Sequence, residues 1–129
     1  MISTLPSLAS LVNRLHPHTR GWLAEKLAAL YLLAYGFTPI RRPHRAPVQT
    51  DLLLARGKLV LLVEVKFRQI HLNALQAITP NQKARLRAEA RRISARYPTH
   101  TLRVDGIQVF PHWPFLHHTP VLIPLDGTP

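Results

Sequence analysis

"TDLLLARGKLVLLVEVKFR", residues 50–68, decides how the rest of the chain is read. Its interior is almost all Leu and Val, as expected of strands covered on both faces, and Gly57 breaks it where a tight hairpin needs a turn. Two strands follow, Thr50 to Ala55 and Leu59 to Phe67, joined by Arg56, Gly57 and Lys58. Into this apolar stretch the chain places Asp51, Glu64 and Lys66, although it has only six acidic residues in 129. Alternate residues of a strand share a face, so Glu64 and Lys66 project together, and a hairpin about Gly57 sets Asp51 roughly opposite them.

Carboxylates in a covered sheet cost several kcal/mol each unless compensated, and one Lys offsets only one of two. A divalent cation completes the balance, and oxygen donors in a chain without Cys favour Mg²⁺ or Mn²⁺ over zinc. A structural ion-pair cluster is the other reading of the same residues. The Glu-x-Lys triplet alone decides nothing, since about one shuffled chain in ten would contain it.

Outward from this hairpin, Gly21 to Tyr35 reads as a helix of good helix formers, ending at Gly36 and apolar enough to be buried over most of its circumference. Phe37 to Arg42 reads as a short strand, and the Pro-broken basic segment up to Thr50 as a loop. "TPNQ", residues 79–82, announces a second helix with Thr79 as cap, Pro80 in the first turn and Gln82 closing a capping box. That helix runs to about Arg96, with Leu86, Ala90, Ile93 and Tyr97 on its core face and Lys83, Arg85, Arg87, Arg91, Arg92 and Arg96 around the rest. Thr101 to Phe110 is a further strand, with Gly106 marking a bulge. After Pro111 only "VLIPL", residues 121–125, suits an edge strand. The division expected is a loosely ordered lead-in over 1–19, one α/β domain over 20–110 and a Pro-rich tail over 111–129.

The chain carries 17 Lys and Arg against 6 Asp and Glu, a formal charge of +11. This favours a polyanionic partner, nucleic acid and foremost DNA, over a membrane. The lack of Cys, of a membrane-spanning run and of a basic region before the apolar start points to a cytoplasmic protein. The eight His lie mostly among prolines and read as solvated loop residues; Trp113 and Phe115 read either as base-stacking groups or as packing for the tail.

Asp51 followed by Glu64-Val65-Lys66 resembles the D...(D/E)xK signature of the restriction-endonuclease-like nuclease superfamily. "GWLAEKLAALYLLAYGF", "DLLL", "LVEVKFR", "ITPNQKARL" and "LRVDGIQVF" follow, in order and spacing, the pattern of the YraN-like family of uncharacterised bacterial proteins. The resemblance spans about Gly21 to Phe110. It implies a core of helix, three-stranded meander, crossover helix and further strand in a mixed sheet, similar to archaeal Holliday-junction resolvases. It further implies a metal held by Asp51, Glu64 and the Val65 carbonyl, with Glu25 pointing toward it and Lys66 orienting or activating water. Gln82 and Lys83 would lie near the site, and Arg41, Arg42, Arg45, Arg68, Arg87 and Arg91 would meet the nucleic acid. The function expected is a metal-dependent endonuclease acting on branched or structured DNA, with a homodimer among the expected assemblies. Where the family writes Gly-Glu-Ile-Asp, this chain has Val48-Gln49-Thr50-Asp51, so an amide replaces one acid. A catalytically silent nucleic-acid or protein-binding module is the alternative.

Overall fold

The computed structural model describes residues 5–41, 52–70 and 78–125. In chain order they form α1 (Leu8–Asn13), α2 (Pro17–Ala34), β1 (Thr38–Pro39), β2 (Leu52–Arg56), β3 (Leu59–Phe67), α3 (Pro80–Arg96), β4 (Thr101–Val109) and β5 (Leu116–Ile123). The strands make one mixed sheet in sequential order, antiparallel throughout except for β3 and β4, which are parallel and joined through α3. The sheet separates two apolar layers. Leu61, Val63, Val65, Ile107 and Val109 pack with Ala24, Ala28 and Leu32 of α2, while Val60, Leu62 and Val104 pack with Leu86, Ala90 and Ile93 of α3. By strand alternation, Glu64, Lys66, Gly106 and Gln108 belong to the α3 side and Asp105 to the α2 side.

The hairpin forms where Gly57 placed it. Arg56 pairs with Leu59, and Gly57 has φ +59 while Lys58 is not among the residues with positive φ, the pattern of a II′ turn. The capping box of α3 is present in both directions, with Gln82 N donating to Thr79 Oγ1 at 3.1 Å and Thr79 N to Gln82 Oε1 at 3.0 Å. Thr79→Ala is therefore expected to lower stability by about 1 kcal/mol, read from the urea midpoint, without a change in the slope of the transition.

Three expectations need correction. The first long helix starts at Pro17 rather than Gly21, because His16 supplies the N-cap through its ring nitrogen to His18 N at 3.0 Å. Its burial is one-sided. Only Ala24, Ala28 and Leu32 are buried, whereas Trp22, Leu23, Leu27, Leu30 and Leu33 are exposed, since the sheet covers one face and α1, at six residues, is too short to wrap the other. The last strand begins at Leu116, ahead of "VLIPL", and so draws His117, His118, Thr119 and Pro120 into the sheet.

The bulge expected at Gly106 exists, but its extra residues are on β5. Val104 pairs with Ile123 and Gly106 with Thr119, so three residues of β4 oppose five of β5, and Val121 takes φ +52. At Gly106 the Leu122 side chain of that kinked strand fills the space a Cβ would take, its Cδ2 lying 3.0 Å from that position.

Candidate functional site

Glu64 lies on the central strand β3, and its side chain is only 5% exposed on the α3 side. Lys66, two residues on, brings Nζ to 3.1 Å from Glu64 Oε2. Arg85, from the second turn of α3, brings Nη2 to 3.3 Å from Oε1. Across the ladder, Gly106 pairs with Glu64 and Gln108 with Lys66; these four residues, with Ile78 and Leu122, line a small crevice. The opening triplet is thus a buried carboxylate held between two half-exposed cations. Both contacts are longer than the 2.7–2.9 Å typical of charge-assisted hydrogen bonds.

Among the described residues no three His, Cys, Asp or Glu side chains come together. Asp51 lies outside the described residues, as do Arg42 and Arg45. The last described pair of the hairpin is Leu52 with Val63, each the sequence neighbour of a residue in the signature. Val65 pairs with Ile107, and its side chain is buried in the α2 layer. Glu25 is half-buried on α2, the layer opposite Glu64, and among the described residues no hydrogen bond or ion pair links it to Glu64 or Lys66. The Gln82 carbonyl oxygen is committed to its capping box. Lys83 and Arg68 are half-buried, and Arg41, Arg87 and Arg91 are exposed.

Four features escaped the sequence reading. Arg85 was placed on the outer cationic face and instead turns inward to Glu64. Glu89 is buried although charged; its spacing of three from Leu86 and four from Ile93 sets it on the widened apolar stripe, which was the available signal. Gln108 is also buried. The fourth is how far the cluster on the α2 side extends beyond the Asp105–Arg103 ion pair that those two residues suggest in sequence; Asp105 has no exposure at all. Arg103 clamps it in bidentate fashion at 2.8 and 2.9 Å, His118 Nε2 lies 2.7 Å from Oδ2, and Val121 N donates to Oδ1 at 3.1 Å. Behind it, Tyr31 Oη lies 3.0 Å from His118 Nδ1.

Burial pushes the Asp105 carboxyl up, but the bonds from His118, Arg103 and Val121 N outweigh it and hold the group below its ordinary 3.8. Tyr31 is pushed above 10.0 by burial, with Tyr35 and the Asp105 charge adding to it. Three of the four described acids, Glu64, Glu89 and Asp105, are buried, so the described surface is cationic almost without dilution.

The profile of a family described as "Uncharacterised protein family UPF0102" matches residues 24–109. A UPF0102 protein of Methylorubrum extorquens is 38% identical over 115 residues, covering 85% of this chain and 88% of its own. One from Brucella canis is 39% identical over 100 residues, covering 74% and 79%. Among solved structures, Hjc, a Holliday junction resolvase of Archaeoglobus fulgidus, superposes with a TM-score of 0.57 at 20% identity, over 79% of this chain and 73% of its own. The fold is therefore the restriction-endonuclease-like one expected, and at that identity the likeness carries to the fold alone.

Proposed function

This chain belongs to the uncharacterised protein family UPF0102, and from that premise we propose that it binds nucleic acid and hydrolyses phosphodiesters at a divalent-metal site around Glu64. The observation that carries the reading is the carboxylate itself, buried in the middle of a nuclease-like sheet with Lys66 on the same face. Its two cations reach it from half-exposed positions, Lys66 at 3.1 Å and Arg85 at 3.3 Å. A hard ion suits this donor set. Glu64, Asp51 and the Val65 carbonyl would hold Mg²⁺ or Mn²⁺.

When bound, the ion polarises a phosphate and lowers the pKa of water. Lys66 then faces the reacting phosphate from the Glu64 side and stabilises negative charge that grows there. Arg85, now paired with Glu64, would then be able to pair with a phosphate instead. Branched or structured DNA is the proposed substrate, and the exposed outer face of α2 is the proposed contact for a homodimer, whose presence light scattering would read directly.

The second reading, a non-catalytic binding module, is favoured by Arg85. Lys66 and Arg85 both face Glu64, so its charge is balanced without any metal. Both readings require the cationic surface. Replacing Arg87 and Arg91 together with Ala is expected to weaken binding about equally across DNA sequences and to reduce the slope of log K against log salt by about two. Fluorescence anisotropy at several salt concentrations measures this, and an unchanged slope moves the contact surface off α3.

A further inference from the structure

Trp113 is 81% exposed on the segment between β4 and β5, and nothing in the fold explains an indole left in water there. The segment is firmly tied. Phe115 N donates to His112 O at 2.8 Å, Phe110 N to Phe115 O at 2.8 Å and Leu116 N to Pro114 O at 2.7 Å. His112 bridges two carbonyl oxygens, Gln69 O at 2.7 Å through Nε2 and Trp113 O at 3.1 Å through Nδ1. Carbonyls only accept, so both bonds coexist when both ring nitrogens carry hydrogen, and these bonds hold His112 above its ordinary 6.5. Phe115 sits at φ +66, an unfavourable conformation for an aromatic residue that only a surrounding network maintains. Its ring meets Trp113 edge-on, 6.1 Å between centroids.

The place matters as much as the rigidity. β3 and β4 are parallel and end together, Phe67 opposite Val109, so this segment leaves the sheet at the end that carries Lys66. Arg68 N is bonded to Val109 O at 2.9 Å, and the Arg20 guanidinium lies over the Phe67 ring. Residues 106–125 contain no acid. Phe115 lines the apolar groove between α1, α2 and the sheet, but Trp113 is not among the lining residues of that groove.

We infer that Trp113 is a stacking platform for an unpaired base, so that the nucleic acid this protein prefers carries extruded or single-stranded nucleotides. The inference rests on the nucleic-acid-binding reading above and adds a structural class of ligand to it. A π-face accepts any base, whereas the neighbouring arginines hold the backbone; together they recognise unpaired strands without reading sequence.

The test uses the full chain and two fluorescein-labelled probes of equal length, a duplex interrupted by a bulge of unpaired thymines and a fully paired duplex. Trp113→Ala is expected to weaken binding of the bulged probe by about five- to a hundredfold while leaving the paired duplex within about twofold. Trp113→Phe should restore most of the loss. Equal weakening on both probes, no weakening on either, or a change in oligomeric state by light scattering overturns the inference, the last by making Trp113 a protein contact. Failure of the premise looks different: a wild-type protein that binds neither probe defeats nucleic-acid binding altogether. If the wild type binds both probes alike and Trp113→Ala is without effect, the stacking role alone is lost.

Discussion

Asp105→Ala is expected to be the most destabilising single change in this chain, by about 3–5 kcal/mol, because it removes one member of a buried ionic cluster and leaves the others without their counter-charge. Asp105 is fully buried, fixes the Arg103 guanidinium at two points and receives both His118 and the backbone of Val121. The last two contacts attach β5 to β4 across the bulge, so the loss extends beyond the pair to the strand. Thermal unfolding followed by circular dichroism should show a fall of about 10–20 °C in Tm. The pH dependence has a definite sign. A carboxyl whose folded pKa lies below its ordinary value stabilises the fold above that ordinary value, and the contribution disappears as pH falls through the depressed one. The difference between wild type and Asp105→Ala is thus expected to be full at neutral pH and to shrink below about pH 4. A Tm within a few degrees of wild type at pH 7 would mean that β5 is held by its ladder and apolar contacts alone.

The second large effect concerns reactivity. Glu64→Gln preserves shape, removes a buried charge and leaves Lys66 and Arg85, 28% and 27% exposed, to hydrate. These effects oppose one another, so the fold should survive in EDTA. The response to metal should not: millimolar Mg²⁺ or Mn²⁺ is expected to raise the Tm of the wild type by linkage, and Glu64→Gln and Asp51→Asn should both lose that rise. Metal-dependent cleavage of branched DNA should fall by about 10²–10³ in Lys66→Ala, which removes charge stabilisation, and at least as far in Glu64→Gln. A wild type that binds DNA with a steep salt dependence yet shows neither a metal-linked Tm rise nor cleavage would establish the binding-module reading, with Arg85 as the permanent counter-ion of Glu64.

Local grammar made much of the fold legible. Thr79, Pro80 and Gln82 announce α3 because an N-cap is solved within four residues, and Gly57 marks its hairpin because few residues accept positive φ. What stayed hidden depends on which surfaces meet in three dimensions. α2 is apolar all round, so its sequence does not tell a sheet-facing Leu32 from a solvent-facing Leu30. Arg85 falls outside the apolar stripe yet reaches inward, because a long side chain bordering the stripe can bend toward a buried acid. The cluster at Asp105 joins α2, β4 and β5, and His118 reads as a loop residue because it lies in a Pro-rich tail. Of the signature residues, Glu64 and Lys66 were legible as a pair from alternation alone, while the partner that balances them came from 21 residues away.

The margins of the sheet carry a further consequence. On one side the described strand β1 has two residues, one of them Pro39. On the other, β5 contains Pro120, which has no N–H to offer, followed by Val121 at φ +52 and the kink opposite Gly106. A straight row of free donors and acceptors, which would let a neighbouring molecule extend the sheet, is interrupted on both sides among the described residues. The described edges thereby disfavour edge-to-edge polymerisation, the usual hazard of a Leu- and Val-rich sheet.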